Sequence, residues 1–224
     1  ASLVTMVLFT LFVGVSPADD PQPAVSKAAA VEPAEGYEEI VVELRRVIKS
    51  EVAAKNLPGF SIAVVDGDKT VWAEGFGYQD AEKQKPATAA TIYRVGSVSK
   101  LFTDIAVMQL VEQGKLKLDA PVSDYLPEFK PRNAFGDPIT LRQLMSHRAG
   151  LVRESPVGNY FDPTAPTLAA TVASLSDTAL VYKPGTRTKY SNAGIAVVRE
   201  VLEKTQGVEF SKWIVERVLG EVGA

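Results

Sequence analysis

Apolar positions recur along this chain in two rhythms. Ile40, Val41, Leu44, Val47, Ile48 and Val52 fall at helical spacing with Glu, Arg and Lys between them, predicting an amphipathic helix from near Tyr37. Leu57-Pro58-Gly59 ends it. The period then shortens: residues 60–65 predict a strand, Asp66-Gly67-Asp68 a tight turn, and residues 70–77 the returning strand of a hairpin. Residues 79–91 read as a polar loop. Residues 101–112 are apolar almost all the way round, which predicts a central, mostly buried helix stopped by Gly114. After a turn-rich segment at 118–127, Thr140-Leu141-Arg142-Gln143 has the form of a capping box and predicts a helix ending near Gly150. Residues 153–166 read as a loop, 168–175 as a helix, Pro184-Gly185 as a turn, 193–205 as a buried helix and 209–219 as a last helix. A two-stranded hairpin is marginal by itself, so the expectation is that further strands lie beyond Ala224 rather than that it packs wholly on helices.

The N-terminal pattern is different. Residues 3–15 are apolar except for Thr5, Thr10 and Gly14, and the small residues Ser16 and Ala18 fit a secretory cleavage site after Ala18. No basic region precedes this run and the chain begins at Ala1, so residues 1–18 are expected to be a clipped signal peptide; a buried strand or helix is the alternative. The run is short for a membrane span, and no stable span is expected after cleavage. Residues 19–36, rich in Pro, Ala and acidic side chains, read as a linker, which leaves 37–224 as the folded domain of an exported protein, periplasmic or extracellular.

Composition narrows the chemistry. A net charge of −3 over 224 residues carries no footprint for nucleic acid or an anionic membrane. There is no cysteine, so thiol nucleophiles and thiolate metal sites are excluded, and the one histidine, His147, argues against a histidine-rich metal centre. No cofactor is expected.

The candidate chemistry centres on Ser97 and Lys100. Three residues apart at the start of a helix, they share one face, and an amine there can take the serine proton without histidine. Gly96 permits the tight backbone turn before a nucleophile, and free N–H groups at a helix start favour developing negative charge. Burial beside an apolar helix would lower the Lys100 pKa towards that of a useful base. Taken alone, the same residues also suit a serine N-cap, at Ser97 or Ser99, beside a solvated lysine. Tyr190-Ser191-Asn192 precedes the second buried helix; a tyrosine hydroxyl near an ammonium can shuttle a proton and an asparagine amide can orient a carbonyl. Alone, it better suits a loop tyrosine with Asn192 as N-cap.

Together these motifs resemble the serine β-lactamase and penicillin-binding-protein superfamily, in its class C-like branch. The resemblance runs from about Pro58 to Leu219. It is carried by Tyr93-Arg94-Val95-Gly96-Ser97-Val98-Ser99-Lys100, Leu110-Val111-Glu112-Gln113-Gly114-Lys115-Leu116, the stretch from Ile139 to His147 with Gly150-Leu151, and Pro184-Gly185 before Tyr190-Ser191-Asn192. The resemblance implies an α/β fold of α+β type: an antiparallel sheet flanked by helices, with a mainly helical region over roughly 101–180 and the site between them. It implies Ser97 as acylated nucleophile, Lys100 as base or proton relay, Tyr190 as proton donor or acceptor for leaving groups, and Asn192 as the substrate-amide contact. His147 then belongs to a structural helix and to no triad. The implied substrate is a small molecule or peptide with a carbonyl acyl group: a lactam, amide or ester.

One element of the family pattern is missing. The late-strand Lys-Thr-Gly or His-x-Gly, which supplies the second oxyanion donor, is absent, and Lys204-Thr205-Gln206-Gly207 lies too soon after Tyr190 to replace it. The expectation is a C-terminally truncated member with its last strands beyond Ala224, inactive or poorly folded alone. A D,D-peptidase, D-aminopeptidase or carboxylesterase on the same scaffold, or a non-catalytic peptide-binding or structural relative, remain the alternatives.

Overall fold

A computed structural model of the chain describes residues 30–220. The segment expected to be a signal peptide, the first part of the expected linker and residues 221–224 lie outside the described residues. The described chain is α/β, with an antiparallel sheet and helices, and divides into two compact units at Gly96/Ser97.

In the first unit, helix α1 (Glu38–Ala54) precedes strands β1 (Gly59–Asp66) and β2 (Lys69–Asp80). They pair antiparallel from Gly59↔Gly77 to Asp66↔Lys69, with an irregularity at Val64/Val65 that adds twist near the turn. Helical spacing puts Val41 and Ile48 of α1 against Trp72 and Phe76 of β2. Trp72 is fully buried, worth roughly 2–3 kcal/mol. Its indole N–H donates to Glu74, and Arg45 of α1 pairs with the same carboxylate at 2.6 Å. Ile40 and Val47, assigned to the apolar face by periodicity, are exposed.

The hairpin is not left as two strands. β2 continues three residues past Gly77, and a short β3 (Lys85–Pro86) pairs with Tyr78 and Asp80, so part of the predicted 79–91 loop is sheet. Val31 exchanges two 3.0 Å backbone hydrogen bonds with Ala73, and Ala34 donates to the Val71 carbonyl. The last residues of the predicted linker are therefore tied to β2.

The second unit is helical: α2 (Ser99–Glu112), α3 (Leu141–Met145), α4 (Leu168–Ala173), α5 (Asn192–Gln206) and α6 (Phe210–Ile214), the last continuing as a π-helical turn at Val215–Leu219. The helical region thus runs on through α5 and α6 and is not confined to 101–180. Its core joins Ala106, Val107 and Leu110 of α2 to Leu141, Leu144, Val172, Val197, Val198, Val201 and Leu202. The most buried helix is α5, not α2: eight α5 residues are buried, whereas Leu101 and Met108 of α2 are exposed.

The capping box at α3 is complete, with Thr140 accepting from the Gln143 N–H and the Gln143 side chain accepting from the Thr140 N–H. The helix stops at Met145, well short of Gly150, because His147 takes a left-handed backbone conformation (φ +57°) that no α-helix continues through. Gly150 (φ +76°) then passes so close to the Tyr182 carbonyl that a Cβ could not fit. Backbone bonds Val181 N–H to Gly150 O, Gly185 N–H to Arg148 O and Lys189 N–H to His147 O, each 2.8 Å, lace the segment before α5 along residues 147–150.

Candidate active site

Ser97 lies in a 3₁₀ turn, Gly96–Val98, immediately before α2 and not within it. Gly96 opens the turn at φ +53°, where a residue with a Cβ is strained. Because the turn runs directly into α2, Lys100 comes round one turn later, and its Nζ donates to Ser97 Oγ at 3.2 Å. Ser97 is exposed and Lys100 half-buried. From 93 residues further on, Tyr190 brings its Oη to 2.7 Å from the same Oγ.

Tyr190 precedes α5, whose N-cap is Ser191 rather than Asn192: Ser191 Oγ accepts from the Gly194 N–H at 2.8 Å and donates to the Val152 carbonyl at 2.7 Å. The Tyr190 ring is surrounded by cations and an imidazole. Lys100 Nζ stands 5.0 Å and Arg153 Cζ 5.3 Å from its centroid. The His147 ring packs at 4.5 Å, tilted by 40°. Burial pulls the phenol pKa upward, but the interaction with Lys100, the hydrogen bond to Ser97 and the charges of Lys100 and Arg153 outweigh it and bring the pKa below the ordinary tyrosine value. Burial, then the Lys100 charge, hold the His147 imidazole below its ordinary value.

Three of the four predicted residues, Ser97, Lys100 and Tyr190, therefore meet in one hydrogen-bonded cluster. Asn192 is the first residue of α5; its Nδ2 donates to Glu154 at 2.7 Å and its backbone N–H to the Arg153 carbonyl at 2.8 Å. Arg153 and Glu154 were not singled out from the sequence, where they read as the start of a loop without periodicity. His147, expected within a helix, sits beyond the end of α3 beside Tyr190. Among the described residues, no group of three or more His, Cys, Asp or Glu has a metal-holding arrangement.

An antiparallel sheet with helices, and a Ser–x–x–Lys turn closed by a distant tyrosine, define the serine β-lactamase and penicillin-binding-protein class. The Beta-lactamase family model matches residues 44–223, and the chain belongs to that family. Beta-lactamase-like protein 2 of Dictyostelium discoideum is 32% identical over 190 residues, covering 81% of this chain and 34% of that protein. The structure of the octameric penicillin-binding protein homologue from Pyrococcus abyssi superposes with a TM-score of 0.73 at 34% identity, over 82% of this chain and 43% of that one. EstCE1, a hydrolase with promiscuous acyltransferase activity, gives a TM-score of 0.73 at 28% identity, over 82% of this chain and 51% of its own. The chain spans about a third of the length of the curated relatives it matches, 35% of Protein flp of Staphylococcus aureus and 34% of the Dictyostelium protein.

Proposed function

We propose that the protein carrying this chain is a serine hydrolase that cleaves an amide, lactam or ester through an acyl-enzyme on Ser97. The observation that carries the reading is the position of Ser97 Oγ, 2.7 Å from Tyr190 Oη and 3.2 Å from Lys100 Nζ. Lys100 donates to Ser97 Oγ, which leaves the serine proton free to face Tyr190. The lowered Tyr190 pKa, beside two cations, favours the phenolate, and the phenolate oxygen is suited to take that proton as Oγ attacks the substrate carbonyl. Tyr190 then returns the proton to the leaving nitrogen or oxygen as the carbonyl–leaving-group bond breaks. Water adds to the resulting ester, the bond to Oγ breaks, and the serine proton is restored. The Ser97 backbone N–H, at the start of a helical run, is assigned as one donor to the oxyanion. Asn192, oriented by Glu154, is assigned to the substrate amide.

The same reading makes the protein an exported one, on the composition of residues 3–18. N-terminal sequencing of the mature protein tests this, with Asp19 as the expected first residue.

The hydrolase reading is tested by labelling with a fluorophosphonate and with a fluorescent penicillin, in wild type and Ser97→Ala. Label from at least one probe is expected on wild type and none on the variant. Label from neither would sink the nucleophile assignment. Phosphonate label alone favours an esterase or peptidase, which similarity to EstCE1 supports; penicillin label favours lactam recognition, as similarity to the penicillin-binding protein homologue supports.

A further inference from the structure

We propose that His147 is a positioning residue for Tyr190: its backbone carbonyl holds the residue before the tyrosine, and its neutral imidazole holds the residue after it and lets go when protonated. The inference rests on the reading of Tyr190 as the partner of Ser97, and it adds an acid-side switch to that site.

The grip is visible in four contacts. The His147 carbonyl accepts the Lys189 N–H at 2.8 Å, and its Nδ1 accepts the Ser191 N–H at 3.3 Å, so one residue holds both neighbours of Tyr190. Its ring packs on the Tyr190 ring at 4.5 Å. Its own N–H is fixed to the Leu144 carbonyl at 3.1 Å, at the end of α3. The left-handed backbone at His147 (φ +57°) is what turns the side chain back towards residue 191. In the series of backbone bonds that lace the segment 181–191 to residues 147–150, His147 supplies the pair that brackets the tyrosine.

The chemistry of the grip depends on charge. A backbone N–H only donates, so Nδ1 must be the acceptor and the ring proton must sit on Nε2. An imidazolium has no acceptor, and its formation sets N–H against N–H at Ser191. It would also place a third cation in this cluster. The charged groups facing the Tyr190 and His147 rings are Lys100 of α2 and Arg153 of the 153–166 loop, and Glu154 is engaged with Asn192 and Arg153. Burial and Lys100 already hold the imidazole pKa down, so the grip is closed at neutral pH and opens on acidification. With Nδ1 occupied by Ser191, His147 is not a base for Ser97.

The test compares His147→Asn with His147→Ala. Asparagine tolerates the left-handed conformation and puts an oxygen acceptor close to the place of Nδ1 without titrating near neutrality. The rate of fluorophosphonate labelling at Ser97 is followed from pH 4.5 to 8. The wild-type rate should fall about tenfold per pH unit below the imidazole pKa. His147→Ala should be slowed about 30-fold or more at pH 7.5, and His147→Asn should recover at least about tenfold of that while losing the part of the acid limb that tracks the imidazole titration, in line with the effect of general-base misplacement. Wild-type labelling by His147→Ala, or an unchanged acid limb in His147→Asn, overturns the proposal. A second readout is independent of activity. By ¹⁵N NMR, this chain's one histidine should hold its proton on Nε2, and the Ser191 amide signal should shift with its titration. The opposite tautomer, or a Ser191 amide indifferent to the titration, overturns the proposal even if no probe labels Ser97; failure of labelling alone strikes at the hydrolase reading.

Discussion

Replacing Ser191 with alanine removes one oxygen and strands two partners. Ser191 is 3% exposed, in an extended conformation (φ −140°, ψ 114°) from which Oγ caps α5 through the Gly194 N–H and donates to the Val152 carbonyl. Loss of a serine N-cap costs about 1 kcal/mol. A part-buried carbonyl left without its donor adds about 1–2 kcal/mol. Ser191→Ala should therefore destabilise the protein by about 2–3 kcal/mol. For a chain of this size that lowers Tm by roughly 4–12 °C and the urea midpoint by roughly 1 M. Thr167→Ala is the internal comparison: Thr167 caps α4 through the Ala170 N–H at 3.1 Å, but it is exposed and its side chain makes no second bond of the Val152 kind. It should cost about 1 kcal/mol. Urea unfolding of both variants, followed by circular dichroism, gives the difference directly. A Ser191→Ala loss no larger than that of Thr167→Ala would refute the reasoning, because water would then have replaced the serine at Val152 at no cost.

Two further outcomes follow from the same structure. Gly150→Ala should destabilise by at least about 2 kcal/mol, since it combines a left-handed backbone with a collision against the Tyr182 carbonyl; an unchanged denaturation midpoint would contradict the close approach. Asp104 of α2 has a buried, unpartnered Oδ1, and burial pushes its carboxyl up to about 6 from the ordinary 3.8. With the folded pKa raised, the native state binds more protons across that window, so this group's contribution is full below about pH 4 and is lost as pH rises through about 6. Allowing for the water that reaches the half-buried side chain, the loss is of order 1 kcal/mol. Asp104→Asn should remove it, seen as a Tm advantage over wild type that appears between pH 4 and 7. Parallel Tm profiles would count against the assignment.

Local chemistry in the chain was legible before any coordinates. The capping box at Thr140–Gln143, the hairpin around Gly67 and the Ser97–Lys100 spacing each depend on atoms within about one turn of one another, so residue type and separation alone determine them. Residue type made Tyr190 a candidate and resemblance gave it a role beside Ser97; its hydroxyl does reach Ser97. Tertiary structure decided what periodicity does not encode. An apolar sequence made α2 look like the central helix, but burial depends on what packs around a helix, and the neighbours of α5 enclose it more completely. Val31 read as linker because one strand-like contact has no pattern of its own, yet β2 offered it an open edge. Above all, Arg153, Glu154 and His147 lie far from Tyr190-Ser191-Asn192 along the chain, and their contacts with it arise only after residues 147–150 are laced to the segment before α5. Spacing along the chain determined the approach of Lys100 to Ser97; backbone pairing across some forty residues determined how Tyr190 is held against them.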